Sequence, residues 1–378
     1  MKHLEVKDLR YEQGEFSLLA SLELEQGRTG VILGPSGCGK TSLLRCIAGL
    51  ERPAEGSITI GGRAIENLPP EKRDIGFIFQ DLALFDHLTG RENIGFGLRL
   101  KKVPKTEADR ATEALASKLR IISLLDRRPF AMSGGEKQRL AFARALATKP
   151  GLLLMDEPLS SLDAPLRREL RAYLRATLSQ EGITALHVTH DVEEALELGD
   201  EIFLMKAGRI LTRGKPRTIH ENPPDAWCVR FLGLGVLLPV IALNRMADQD
   251  GLIAAETPFG RLGCIAASGT AISAEASRFF IPRGAATITS GGALEAGVNL
   301  LHADVVRAVF QGNFQRLVLR LKTAPNLDGP TGAPGQGIDA EDKSLFELEV
   351  DPSLNFSPGE GVKIAVQAEK CRILPELL

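Results

Sequence analysis

The stretch Val31-Ile32-Leu33-Gly34-Pro35-Ser36-Gly37-Cys38-Gly39-Lys40-Thr41-Ser42 constrains this chain more than any other. An apolar strand, Thr29 to Leu33, runs into a glycine-rich turn that ends in Lys-Thr, and Thr41 to Ala48 reads as a helix. Glycines at this spacing let successive backbone N–H groups converge on phosphate oxygens, and the following helix N-terminus adds its positive end. Lys40 is then expected to reach the β and γ phosphates, and Thr41 to hold Mg²⁺. A plain glycine-rich turn is the alternative, and the strand and helix on its two sides argue against it.

The use made of the phosphate must come from elsewhere in the chain. At 378 residues a division into two domains is expected, and the net charge of -2 gives no electrostatic reason to bind nucleic acid or an anionic membrane. Five cysteines are scattered without a Cys-x-x-Cys pair, so neither a zinc site nor a disulfide framework is suggested, and a reducing compartment fits. Met1 to Val6 already alternates like a strand, which does not resemble a signal peptide. The most apolar run, Gly233 to Leu243, is too short to span a bilayer, so any span would come from another chain.

Taken in order, residues 2 to 28 alternate apolar and polar and predict a short antiparallel layer, with Tyr11 in the turn between its strands. Tyr11 would either stack on an adenine ring or close a small core. Asp74 to Phe79 reads as a buried strand with Gln80 at its carboxyl end, where ligands sit in open parallel sheets, so Gln80 is placed near Mg²⁺ or the γ-phosphate. Residues 81 to 150 become helical, with Thr106 as N-cap for Glu107 to Leu119 and a long helix from Ser133. There Met132-Ser133-Gly134-Gly135-Glu136 forms either an ordinary loop-to-helix junction or a second anion site. Leu152 to Met155 is an apolar strand ending in Asp156-Glu157. Asp156 suits the Mg²⁺ shell and Glu157 the polarisation of an attacking water, unless the pair is simply the solvent end of a buried strand.

Ser160-Ser161-Leu162-Asp163 reads as a turn before an amphipathic helix, Ala164 to Gln180, whose Arg167, Arg168, Arg171 and Arg175 are expected on a solvated face rather than on nucleic acid. A further strand, Ile183 to Thr189, places His187 inside a core and His190 at its carboxyl end, within reach of a γ-phosphate. Cys38, among the loop amides at a helix N-terminus, is expected to be alkylated readily and protected by MgATP.

The ordered set of phosphate loop, Gln80, Ser133-Gly134-Gly135, Asp156-Glu157, Ser161-Leu162-Asp163 and His190 closely resembles the nucleotide-binding subunit of ABC transporters, over residues 1 to 234. The resemblance names these Walker A, Q-loop, signature, Walker B, D-loop and switch histidine. It implies an α/β P-loop NTPase fold with a helical subdomain, ATP and Mg as cofactors, and ATP contacts from Tyr11 and from Gly34 through Ser42. Metal contacts would come from Thr41, Gln80 and Asp156, and catalytic roles fall to Glu157, His190 and Gln80. The signature residues Ser133, Gly134, Gly135 and Glu136 would act in trans, with Asp163 of the D-loop, in a head-to-tail homodimer. The usual signature ends in Gln where this chain has Glu136, which suits its helix dipole.

From residue 235 the pattern changes to short alternating strands, Arg316 to Leu321, Leu345 to Val350 and Val362 to Val366, which predict a small all-β, OB-like barrel. Thr323 to Asp342, rich in Pro and Gly, reads as a mobile loop or barrel insertion. This segment resembles the TOBE domain of bacterial importer ATPases; Glu256 to Leu262 fits its first strands, while its usual Arg-Pro-Glu stretch stands here as Ile281-Pro282-Arg283-Gly284. A dimerisation or regulatory role is expected, with no nucleic acid bound. Altogether the resemblance implies an energy-coupling ATPase at the cytoplasmic face of the inner membrane. It would serve two transmembrane permease subunits and, indirectly, an extracytoplasmic solute-binding protein, with a small charged cargo of the ferric iron or polyamine type. A soluble ABC ATPase acting on nucleic acid or ribosomes is the alternative; such chains usually carry two cassettes or a long coiled-coil insertion, which this sequence lacks.

Overall fold

The computed structural model describes residues 2–160, 162–245, 252–265, 274, 276–289, 297–324 and 344–377. Ser161 and nearly all of the Thr323 to Asp342 stretch lie outside the described residues. By Cα packing the chain divides into Met1–Ile219 and His220–Leu378, ahead of the expected division at 234, because Leu234 N bonds back to Val229 O and Arg283 N bonds to Leu234 O.

In the first unit, β1 (Lys2–Gln13) and β2 (Phe16–Glu25) form a hairpin, followed by β3 (Thr29–Leu33) and α1 (Lys40–Ala48). Strands β4 (Glu55–Ile60), β5 (Arg63–Ala64) and β6 (Ile75–Ile78) come next. The helical segment holds α2 (Gly90–Leu100), α3 (Lys105–Lys118) and α4 (Gly134–Ala147). Then β7 (Leu152–Asp156), α5 (Ala164–Glu181), β8 (Ala185–Thr189), α6 (Val192–Leu198), β9 (Glu201–Lys206) and β10 (Arg209–Gly214) complete one ten-stranded sheet. The short α7 (Pro216–Glu221) crosses the division.

The sheet order is β5-β4-β1-β2-β10-β9-β3-β8-β7-β6. Its apolar strands β3, β7 and β8 are buried along their whole length, as parallel strands covered on both faces must be. Within this sheet Leu33 pairs with Thr189, Asp156 with Val188 and Met155 with Ile78. The carboxyl ends of β3, β8, β7 and β6 therefore align along one edge, and the segments after them meet there.

Two sequence expectations change here. Tyr11 lies within β1, opposite Leu18, because the hairpin turns at Gly14, whose φ is 60°. Helix α3 starts at Lys105 after Pro104 rather than at a Thr106 cap; proline pre-sets the backbone for a helix start, so no hydroxyl is needed.

The second unit contains α8 (Ala226–Leu232), β11 (Gly235–Pro239), β12 (Ala242–Arg245), β13 (Leu252–Thr257), β14 (Gly260–Ile265) and β15 (Ser277–Pro282). It continues with β16 (Ala286–Thr289), β17 (Val298–Phe310), β18 (Gln315–Leu321), β19 (Leu345–Val350), β20 (Gly361–Gln367) and β21 (Arg372–Pro375). These form a sheet ordered β11-β15-β21-β14-β13-β12 and another ordered β16-β20-β17-β18-β19. Leu238, Phe279 and Ile281 from the first share one apolar core with Leu317, Leu319, Phe346 and Ile364 from the second. The expected strands around Arg316, Leu345 and Val362 are β18, β19 and β20.

Candidate phosphate and water-activation site

The turn after β3 is shaped by close approach. A Cβ on Gly34 would stand 2.2 Å from the Met205 carbonyl oxygen, so only glycine fits. Gly39 precedes α1 with φ 103°, and no side chain caps that helix. Elsewhere in this unit Thr89, Ser133, Asp163 and Asp191 each cap a helix through a side-chain oxygen. The first amides of α1 are thus left for an external acceptor, and a phosphate supplies one. At the other end of the helix Arg73 donates to the Cys46 and Ile47 carbonyls at 2.9 and 2.8 Å, anchoring it behind the loop.

Lys40 is buried, its Nζ donating to the Gly34 and Pro35 carbonyls at 2.9 Å each. Pro35, Ser36, Gly37 and Ser42 complete the loop, with Ser36 and Gly37 exposed at its tip. Thr41 Oγ1 donates to Asp156 Oδ1 at 2.9 Å. Burial pushes the Asp156 carboxyl up; the Thr41 hydrogen bond opposes this, and the neighbouring Glu157 adds to it. A buried carboxylate and a hydroxyl together offer the hard oxygen donors that Mg²⁺ takes. Residues and metal therefore fit. Gln80 is exposed in the turn after β6.

One residue past Asp156, Glu157 takes φ 43°, a left-handed conformation unusual for a non-glycine residue. Its N–H donates to the Val188 carbonyl at 3.0 Å, and its Oε2 lies 3.0 Å from His190 Nδ1. A carboxylate next to an imidazole at a strand end can accept a proton from water, while the other ring nitrogen stays available for a phosphate oxygen. His187, two strand positions from Thr189, is fully buried and bonds Glu194 Oε1 at 3.0 Å, with Thr189 donating to Oε2 at 2.6 Å. Burial alone would raise the Glu194 carboxyl; the interactions with His187, Thr189 and Arg171 outweigh it and hold the group below its ordinary value.

Cys38 departs from expectation. Its side chain points into the core beside the loop and is 5% exposed. Burial pushes the thiol up, against the pull of Lys40 and the local amides, so ready alkylation does not follow from position alone. Tyr11 is half-buried against the same core from β1.

The arginine face of α5 is a second departure. Arg171, 5% exposed, lies 3.0 Å from Glu197 and 3.3 Å from Glu193. Arg167 is 3.4 Å from Asp191 and donates to the Leu162 carbonyl at 2.7 Å, and Arg175 donates to the Glu197 carbonyl at 2.7 Å. Three arginines four residues apart thus reach α6 or its flanks; Arg171 is buried there, while Arg168 and Arg175 stay exposed, as expected of a solvated face. The acidic partners of the three, Asp191, Glu193, Glu197 and Asp200, lie in or beside α6.

Ser133 to Glu136 form a separate cluster. Ser133 N donates to Glu136 Oε2 at 2.7 Å and Glu136 N to Ser133 Oγ at 3.4 Å, a reciprocal capping box. The backbone hydrogen bond from Ser133 holds the Glu136 carboxyl below its ordinary value, despite the opposing effect of burial. Gly134 and Gly135 pack against Leu162 and Leu166, and Asp163 caps α5 by accepting from Leu166 N at 3.1 Å. A cavity of about 230 Å³ beside Ser133 is lined by none of the phosphate-loop residues. The fold therefore unites Lys40, Thr41, Asp156, Glu157 and His190, and sets the signature and D-loop positions together elsewhere.

Comparison with known proteins places the chain in a family. The ABC transporter family model matches residues 19–160. The Trehalose/maltose import ATP-binding protein MalK of Thermococcus litoralis is 42% identical over 239 residues, 62% of this chain and 63% of the relative's own length. The Sulfate/thiosulfate import ATP-binding protein CysA 2 of Chromobacterium violaceum is 38% identical over 381 residues, 99% of this chain and 96% of the relative. Among solved structures, a dimeric post-hydrolysis state of the ATP-binding cassette MJ0796 bound to ADP and Pi superposes with a TM-score of 0.51 at 29% identity, covering 57% of this chain and 99% of that one. CbiO1 from Clostridium perfringens, part of an ABC transporter complex, gives a TM-score of 0.54 at 27% identity, covering 59% of this chain and 92% of that one. With the ordered motifs in place and a full-length relative alongside, this chain belongs to the ATP-binding subunits of the ABC importers.

Proposed function

We propose that this chain hydrolyses ATP and, paired with a second copy, powers solute import through membrane permease subunits. The observation that carries the reading is the 3.0 Å contact between Glu157 and His190, beside the Thr41–Asp156 pair. Lys40 and the amides of Gly34 to Ser42 hold the β and γ phosphates, and Tyr11 offers a ring to the adenine. Thr41, Asp156 and Gln80 would hold Mg²⁺, which would supply positive charge to the phosphate oxygens. Glu157 takes a proton from water as the water oxygen attacks the γ-phosphorus; the bond to the bridging oxygen breaks, leaving ADP and inorganic phosphate. His190 orients Glu157 and bonds the γ-phosphate.

One copy of each motif lies in the chain, with signature and phosphate loop in separate clusters, so each chain contributes two half-sites. Ser133, Gly134, Gly135 and Glu136 of a second copy close over the phosphates, with Asp163 shaping the D-loop at the seam. Among the described residues no helix is long and apolar enough to cross a membrane. Two permease subunits therefore supply the span, this chain docks on their cytoplasmic side, and a solute-binding protein delivers cargo from the other. The second unit serves as a TOBE-like dimerisation and regulatory module. Relatives are named for sulfate/thiosulfate, spermidine/putrescine and Fe(3+) ions as well as for sugars, and we favour the small charged class.

Glu157→Gln should retain ATP binding and slow hydrolysis by roughly two to four orders of magnitude, because it removes the base. Near-normal turnover would reject the assignment. Recovery of only soluble partners or nucleic acid from detergent-solubilised membranes would sink the importer reading.

A further inference from the structure

The turn carrying Gln80 is built against the preference of its own backbone. Leu82 N donates to the Phe79 carbonyl at 2.9 Å and so closes Gln80 into the turn. Leu82 and Ala83 follow with φ of 62° and 44°, two successive non-glycine residues in the left-handed region. L-residues visit that region singly and reluctantly, so an adjacent pair has to be held there.

Arg144, on α4, supplies the hold. Its guanidinium donates to the Leu82 carbonyl at 2.8 Å and to the Ala83 carbonyl, while lying 5.3 Å from the centre of the Phe85 ring. Further along, the fully buried Asn93 accepts from Phe85 N at 2.9 Å and donates to the carbonyls of Phe85, Leu88 and Thr89. The far side of the segment is thereby fixed to α2. The near side, next to Gln80, depends on Arg144. A planar fork reaches two carbonyls and stacks on a ring at once; a lysine ammonium does neither equally well.

We propose that Arg144 is a positioning residue that locks the left-handed Leu82–Ala83 pair and so ties Gln80 to α4, the helix that begins at the Ser133 capping box. Gln80 then takes its place from α4, and ATP turnover depends on a residue that touches neither nucleotide nor metal. The inference rests on the ATPase reading of the site.

The test uses the full chain with four variants: Arg144→Lys, Ala83→Val, Ala83→Gly and the Arg144→Lys/Ala83→Gly double. Arg144→Lys should lower kcat about tenfold and raise the Mg²⁺ concentration needed for half-maximal activity, with ATP affinity within about twofold of the parent. Ala83 is exposed, so Ala83→Val loads the strained backbone without crowding a core, and it should reproduce those kinetics even if Arg144→Lys fails to fold. Glycine takes φ 44° freely. Ala83→Gly should therefore behave like the parent, and the double variant should regain most of the lost kcat.

Parental kinetics in both Arg144→Lys and Ala83→Val, or a double variant no faster than Arg144→Lys, would overturn the proposal. The two failures are separable. Rapid turnover by Glu157→Gln undermines the ATPase site itself, whereas an inactive Glu157→Gln beside normal Arg144→Lys and Ala83→Val undermines only this link.

Discussion

The two units differ in where their ionisable groups meet. In the first, several buried or strained charged residues lie at or beside one edge: Asp156 and Lys40 are 5% exposed, Glu194 is 3% exposed, and Glu157 takes a left-handed φ. In the second, the two sheets share a core of hydrophobic side chains, and buried polar residues such as Asp225, Thr257 and Asn299 serve a helix cap, a turn and a strand backbone. The difference follows from topology. A parallel register brings the ends of β3, β8, β7 and β6 to one line, so residues distant in sequence meet; strands that mostly run antiparallel alternate their ends and make no such edge. Chemistry is concentrated where ends coincide, and packing dominates where they do not.

That contrast can be broken. The loss of turnover expected of Glu157→Gln should leave the second unit's unfolding unchanged. Conversely Phe279→Ala, at a fully buried position, should destabilise the second unit by about 3–5 kcal/mol through the cavity it leaves. Its ATP turnover below the unfolding transition should match the parent. A parallel collapse of both would mean that the units do not divide labour in this way.

Smaller effects sharpen the picture inside the first unit. Glu194→Gln should cost roughly 1.5–3 kcal/mol at neutral pH, the range for hydrogen bonds to a charged group. The folded carboxyl is held below its ordinary value of 4.5, so its contribution is complete above that value and disappears as pH falls through the folded one. Urea midpoints of parent and variant should therefore converge in acid, and a gap that stays constant down to pH 3 contradicts the assignment. Cys38 gives the smallest effect: its reaction with a thiol reagent should be about tenfold or more slower than that of a free thiol, with MgATP adding little. Fast labelling would return it to the exposed loop.

What could be read in the sequence divides along the same line. Ser133 and Glu136 announced a helix start through local spacing, and Asp156-Glu157 and His190 marked strand ends because apolar runs stop there. Side-chain direction was another matter. Nothing in the loop spacing says that Cys38 turns inward, and nothing in α5 alone says that Arg167 and Arg171 meet acids 24 and 22 residues away. The left-handed pair at Leu82 and Ala83 was equally hidden, since neither residue is one that advertises such a backbone. In the second unit, alternation revealed strands such as β18 and β20, but pairing order depends on long-range register that alternation does not encode.

The bare start of α1 gives nucleotide a part in the fold itself. Four other helices of the unit carry their own oxygen acceptor in the chain; α1 begins at Gly39 with none, as α3 does after Pro104, and only α1 follows a glycine-rich turn. A bound triphosphate would do for α1 what Ser133 does for α4. Binding energy would then appear as structural order, about 2.7 kcal/mol of added stability at a hundred times the dissociation constant. A heat-denaturation curve of this chain should therefore report cellular ATP as directly as a binding assay does, with the gain confined to the unit that holds α1.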